Sequence, residues 1–379
     1  MTPEFSNISA LNLRKTQSMD IFEKARIWTS RTLRSCFNLE ELTMYLPKYS
    51  LAVLLSLLLG TQAYAEVPRT DWGTPSLQGT WDFRTMTPFE RPEQFKDKEF
   101  LTDEEISKIE TDRAKAWEAR GNVDFEEAAK AEGQQGDVDV GYNQFFLDLG
   151  TKVNGTKRTS LVIDPPNGRV PAPSEAAIAR YVEARDMWAR PPEGPEDRNA
   201  FDRCIKGFNA GPPMTSGAYN NIMQIVESED FVVMQVEMVN DHRVIPTSAT
   251  EQLPDHMRFW KGDSRGVWEG DTFVVTTTNF NEHQMFRLTG PNMTLTERFT
   301  RLDEETLEYK FTVVDPDTYD VPWTAVMQMV KTDADVYEFA CHEGNYAMPL
   351  MLKGARKQER DGTSKEDDTW LPSWSKPRT

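Results

Sequence analysis

The chain is poor in the residues that reactive sites most often use, with three cysteines and four histidines in 379 residues. No His-x-His, His-Glu-x-x-His or Cys-x-x-Cys spacing occurs among them, so neither a zinc site nor a cupin-type metal site is expected. Glycine-rich phosphate loops are missing too. Neither G-x-G-x-x-G nor G-x-x-x-x-G-K is present, and no cofactor is assigned. Ser264, in the stretch GDSRG, lacks the helix pattern that must follow a nucleophile elbow. No fixed-period repeat or low-complexity tract excludes a globular reading.

Charge is abundant but one-sided. There are 43 Lys and Arg against 61 Asp and Glu, a formal net charge of −18. Such a surface repels phosphate backbones and anionic lipid, which argues against a nucleic-acid or membrane-surface partner. Its plainest consequence is solubility.

The one long apolar run, Leu51–Leu59, follows Lys48 and precedes Ala63-Tyr64-Ala65. A basic flank, a short apolar core and an A-x-A ending are the parts of a secretory signal peptide, here spanning residues 44–65 with cleavage before Glu66. The core is well short of the ~20 residues that cross a bilayer as a helix. A periplasmic or secreted location is therefore expected, with no membrane association after cleavage. Residues 1–43 are either an upstream extension from a misassigned start at a codon before Met44 or a long basic leader. Cys36 leaves with that region, and Cys204 and Cys341 remain. A pair in an oxidising compartment reads as a disulfide, with two separate thiols as the alternative.

The stretch Gly262–Phe280 sets the architectural theme. Two β-type runs, Ser264–Glu269 and Thr272–Phe280, flank a Glu269-Gly270-Asp271 turn, where glycine can take a positive φ. The same rhythm gives strands at about 158–163, 222–227, 231–239, 242–247, 293–302, 306–314, 323–331 and 336–342, with the Gly262–Phe280 hairpin near the centre of the sheet. A further strand is expected at Gly79–Phe83. So many short strands at hairpin spacing predict a mainly β fold over residues 151–352, an antiparallel barrel or a sandwich. Residues 66–150 are expected to add a strand and helices packed on it.

Helices are predicted at Leu101–Arg120, with Thr102 and Glu105 at capping-box spacing, and at Ser174–Trp188, with Ser174 as N-cap and an Ile178, Tyr181, Val182 and Trp188 stripe. A short helix is also read at Phe125–Glu132. The charged stretch from residue 353 to 379 reads as a disordered tail. Residues 189–221 form a long aperiodic segment, the kind that serves as a binding loop or lid. Its Phe201, Phe208, Met214 and Tyr219 argue for order.

Several strands carry polar residues on otherwise apolar faces: Gln224, Gln235, Glu237, Glu297, Gln328 and Glu338. A core does not bury a carboxylate unpaired, so these are either solvated outward faces or the lining of a central ligand cavity. The cavity reading makes Gln224, Gln235, Glu297, Gln328, Trp268 and Asn279 candidate ligand contacts. His342, at the end of the strand read at 336–342 with Glu338 upstream, is the first candidate for acid–base chemistry. Four residues apart in a strand, the two would stand ~13 Å apart and flank a substrate rather than touch. Glu237 and the Asp241-His242 pair are the second candidates. His256 and His283 read as turn residues.

Two resemblances bear on these expectations. DWGTPSLQGTWDF, RTSLVIDPPNGRVP, RCIKGFNAGPPM, GDSRGVWEGDTFVVTTTNF and FACHEGNY together resemble a group of exported bacterial proteins of unassigned function. That resemblance covers nearly all of residues 66–355 and implies export from a bacterium, but no reaction. Gly79-Thr80-Trp81 and the strand rhythm are also similar to the start of lipocalin-like barrels, which implies a Trp closing one barrel end. The expected activity is capture of a small, largely apolar molecule. The chain would then be a cofactor-free isomerase, lyase or hydrolase, a non-catalytic carrier, or a surface interaction module.

Overall fold

Alternation of side chains along each strand decides what goes inside. In Thr306–Val314 the buried residues are Leu307, Tyr309, Phe311 and Val313, and in Thr294–Arg301 they are Leu295, Glu297, Phe299 and Arg301. Repeated over ten strands, this gives one antiparallel sheet with a filled inner face. A computed structural model of the chain describes residues 67–121, 147–248 and 251–364.

The strands are β1 (Gly79–Asp82), β2 (Val162–Asp164), β3 (Ile222–Glu227), β4 (Phe231–Val236), β5 (Asp241–Pro246), β6 (Asp263–Glu269), β7 (Thr272–Thr278), β8 (Thr294–Arg301), β9 (Thr306–Val314) and β10 (Trp323–Lys331). Their order is β5-β4-β3-β1-β10-β9-β8-β7-β6, with β2 added on β10. The sheet curls until β5 and β6 lie side by side, a nearly closed nine-strand barrel. Closeness at this seam needs a glycine: a Cβ on Gly266 would stand 2.2 Å from the Phe273 ring and 3.1 Å from Ile245. Lys261 clasps the seam at one end, bonding the Asp241 carboxylate and, at 2.8 Å, the His242 carbonyl.

The Glu269-Gly270-Asp271 turn forms as read, with Gly270 at φ 61°. Its hairpin is not central, because β6 ends the strand path. Trp81 lies fully buried toward the end of the barrel opposite Lys261. Its indole N–H donates to the Leu77 carbonyl at 3.0 Å, and the Arg301 guanidinium stacks 5.2 Å above the ring.

Among the described residues three helices lie outside the sheet: α1 (Asp103–Gly121), α2 (Glu175–Ala189) and α3 (Ala347–Asp361). The capping box before α1 is present: Thr102 N–H donates to Glu105 Oε2 at 2.8 Å and Glu105 N–H to Thr102 Oγ1 at 3.3 Å. Ser174 caps α2 through Ala177 N–H at 3.1 Å. Replacing it by alanine should cost about 1 kcal/mol, read as a small fall in the urea midpoint with an unchanged slope. The stripe expected on α2 is only partly inward. Ala177 and Trp188 are buried, whereas Ile178 and Val182 are exposed.

Two expectations fail at the C-terminal side. Residues 336–342 form no strand, because β10 already has β1, β9 and β2 as partners and offers no free edge. Nor is the tail irregular from residue 353. Residues 353–361 are the second half of α3, which buries Ala355 and is tied down by Arg356, whose guanidinium donates to the Glu193 and Pro192 carbonyls at 2.9 and 2.8 Å. The helix read at 125–132, residues 1–66 and residues 365–379 lie outside the described residues.

Candidate functional site

Among the described residues, the barrel interior is filled with side chains. Trp81, Met223, Ile225, Met234, Phe273, Phe299, Tyr309 and Trp323 meet inside it with 0–1% exposure. Among the polar residues proposed as cavity lining, Glu297 alone points into this core. It is completely buried and forms a two-armed ion pair with Arg243, at 2.7 and 3.1 Å. Tyr309 donates to the same carboxylate at 2.7 Å and accepts from the Met214 N–H at 3.0 Å. Glu297 is thus a structural carboxylate. Burial opposes the Arg243 charge, but the adjacent Glu297 more than offsets it and leaves the guanidinium pKa raised. Tyr309 is pushed well up by burial first and by the Glu297 charge second.

The other expected ligand contacts fall elsewhere. Gln224, Gln235 and His242 form one row across β3, β4 and β5 on the outer face, directly opposite one another in register. Gln328 is half-buried on the outer side of β10, where Asn154 bonds its backbone on both sides, at 3.0 and 3.1 Å. Trp268 packs on Phe273, ring to ring at 5.3 Å. Asn279 takes φ 57° and spends its amide on the carbonyls of Leu253, Pro254 and Met257. These residues are therefore spread over turns and the sheet and do not line one cavity.

The acid–base candidates do not assemble either. His342 and Glu338 are exposed in an irregular stretch. His242 is exposed on the outer row, and its neighbour Asp241 points inward to Lys261. Glu237 is buried, which raises its pKa, and accepts the Tyr337 N–H at 3.3 Å. It ties the segment after β10 to the barrel. Among the described residues no group of three His, Cys, Asp or Glu side chains could hold a metal ion.

A cavity does exist, but at one end of the barrel and built from loops. It measures about 660 Å³, within the range of small-molecule sites, and no strand residue lines it. One wall is the long aperiodic segment. Phe201, Phe208 and Tyr219 stack edge to face there, with centroids 5.4 and 5.3 Å apart. Met214 plugs the barrel end beneath, bonded to Tyr309. The facing wall comes from residues 283–287, where His283 stacks on Trp260 at 5.2 Å, and α2 adds Trp188.

The Cys204–Cys341 disulfide pins this segment to the turn after β10, joining positions 137 apart in sequence with Cα atoms 5.8 Å apart. Asn345 reinforces the joint, donating to the Asp202 carbonyl at 2.8 Å. The segment walls the cavity, and its anchor is the turn at residues 341–344, which overlaps the stretch expected to be a strand at 336–342.

Two charged residues, Lys206 and Arg287, interrupt the aromatic lining. Lys206 Nζ donates to Gln284 Oε1 at 2.9 Å. By surface area Lys206 is half-buried, yet protein surrounds its ammonium as densely as in the interior. That combination suits a side chain forming a cavity wall. Desolvation pushes its pKa down to about 8, helped by Arg243 and Lys261 and opposed by Asp241 and Glu297. No residue-type motif announces Lys206 or Gln284 in the sequence. The only pointer was the length and aromatic content of the segment that carries Lys206.

No protein-family model matches the chain, and no curated protein matches it. Among solved structures, a variant of the fluorescent protein UnaG is matched at 11% identity and a TM-score of 0.20, covering 36% of this chain and 90% of that one. At that score the likeness lends the cavity nothing. The barrel is read from the strand pairing itself, and it is compatible with ligand binding.

Proposed function

We propose that this chain binds a small, largely apolar, ring-containing molecule in the loop-built cavity at the barrel end. The observation carrying this reading is the cavity of about 660 Å³ walled by Trp188, Phe201, Phe208, Tyr219, Trp260 and Phe286, with Lys206 and Gln284 as a polar fixed point. Apolar walls supply the driving force, and a few polar groups set orientation. The packed barrel acts as the rigid base on which the loops are held.

The binding site needs neither His342 nor Glu338, so a carrier role requires no further residue. Export is part of the same proposal, supported by the Cys204–Cys341 bond, which persists in an oxidising compartment. Intact mass of the exported protein is expected to begin at Glu66 and to fall two hydrogens short of the reduced chain.

Titration with 2-naphthylmethanol, followed by tryptophan fluorescence, tests the cavity directly. Saturable binding is expected, and Trp260→Ala should weaken it about 5–10-fold, the equivalent of ~1–1.4 kcal/mol of lost ring contact. Absence of saturable binding up to millimolar probe would sink the proposal.

A further inference from the structure

We propose that Lys206 is a nucleophilic amine that captures a small apolar aldehyde or ketone as an imine, with Gln284 holding the carbonyl oxygen. This rests on the cavity reading above and names the class of molecule the cavity takes.

Two independent features of the site point to a carbonyl compound. The first is the surroundings of the amine. Lys206 lines the cavity, and among the described residues no carboxylate forms an ion pair with its Nζ. The carboxylates that do act on it electrostatically already have partners: Asp241 is paired with Lys261, and Glu297 with Arg243. A lysine meant as a structural cation would have one of these to itself.

The second feature is the other half of the Gln284 amide. Lysine in its charged form has only N–H donors, so the contact at 2.9 Å orients the amide with Oε1 toward Nζ. The Nε2 group is then buried with no partner, on a residue only 4% exposed that lines the same cavity. An unmet buried donor costs free energy unless a ligand supplies an acceptor. It belongs to the amide that already touches the amine, so a small shift of the Gln284 side chain would carry it to the oxygen of an attacked carbonyl.

The chemistry balances without any added oxidant or reductant. The Nζ lone pair forms a bond to the carbonyl carbon while the C=O π pair moves onto oxygen, next to the Gln284 Nε2–H. A proton passes from nitrogen to that oxygen, giving the carbinolamine. Nitrogen then expels the hydroxyl as water, with the loss of its remaining proton, and C=N is formed. Amine plus carbonyl gives imine plus water. Burial and the nearby Arg243 and Lys261 charges favour the neutral amine that this requires, which is how lysine nucleophiles are activated in general. His283, Arg287 and Tyr219 also line the cavity and belong to the electrostatic surroundings of the reaction.

The test is reductive trapping on the full chain with 2-naphthaldehyde and sodium cyanoborohydride at pH 7, read by intact mass and peptide mapping. An amine titrating at about 8 is roughly 10% neutral at pH 7, whereas one at about 10.5 is about 0.03% neutral. A single adduct on the Lys206 peptide is expected, forming roughly 300-fold faster than on a surface lysine of equal reactivity. Its rate should rise with pH and level off above about 8. Lys206→Arg keeps the charge and should abolish the adduct, with an unchanged urea midpoint showing that the variant is folded. Gln284→Leu should slow trapping about 10-fold, a typical cost of one lost hydrogen-bond donor, with Lys206 still the labelled residue.

Labelling spread over surface lysines, or unchanged in Lys206→Arg, would overturn the imine while the cavity stands if the alcohol still binds. Preferential binding of 2-naphthoate with no adduct would replace it with an anion site. If the alcohol does not bind the unsubstituted protein, both readings fall together.

Discussion

Glu297→Gln should lower the stability of this protein by about 3–5 kcal/mol, although it changes one atom for another of similar size. The reason is what it leaves behind. Arg243 is 8% exposed and has the Glu297 carboxylate as its ion-pair partner, with two N–H arms on two oxygens. A neutral amide in that place strands the guanidinium charge inside the barrel. It also turns an acceptor of the Tyr309 hydroxyl into a group that can meet only part of the demand, and Tyr309 holds Met214 at the barrel end. The urea midpoint should fall by at least about 1 M at the slopes usual for domains of this size. Replacing both partners, as in Arg243→Met with Glu297→Leu, should recover most of the loss, because no charge remains to be stranded. A single-variant loss under about 1 kcal/mol would mean that water reaches the pair, against the burial seen here.

Removing the disulfide has the next largest expected effect. Cys204→Ser with Cys341→Ser opens a loop whose ends are 137 positions apart in sequence and should cost about 2–5 kcal/mol, chiefly by freeing the unfolded chain. The effect should also reach the cavity, because the cross-link holds the segment that contributes Phe201, Lys206 and Phe208. Affinity for 2-naphthylmethanol should drop in the double serine variant even well below its melting temperature. Dithiothreitol should reproduce both effects in the unsubstituted protein. An unchanged midpoint would show that Asn345 on Asp202, and Arg356 on Pro192 and Glu193, hold the segment unaided.

How far the fold could be read depended on how local each cause was. Strands Ile222–Glu227, Thr306–Val314 and Trp323–Lys331 stand where the alternation put them. The run read as 231–239 stops at Val236, since the link to β5 turns through Val239 and Asn240, both at positive φ. Residues 336–342 alternate as well as a true strand, but pairing needs an open edge, and the barrel presents none there. The stretch after residue 352 looked too charged to fold. Residues 353–361 are helical because Ala355 is buried and Arg356 docks on Pro192 and Glu193, brought from far away in sequence.

The site was harder to read for the same reason. Gln224, Gln235, Gln328 and Glu297 all interrupt apolar runs in the same way, and only the closure of the sheet sends the first three out and the last one in. Lys206 looked like any loop lysine. Its character comes from Gln284, Arg243, Lys261, Asp241 and Glu297, residues 35 to 91 positions downstream in sequence.

Sequence alone determined the antiparallel strands, the glycine turn at Gly270, the helix caps at Thr102 and Ser174, and the cysteines available to pair. Each of these follows from side-chain period or backbone freedom within a few residues. Tertiary structure decided that the barrel would be filled, that the cavity would lie in the loops beyond it, and that Lys206 would face that cavity beside an unmet amide donor. Burial and electrostatic surroundings are set by neighbours in space, which no short stretch of chain contains.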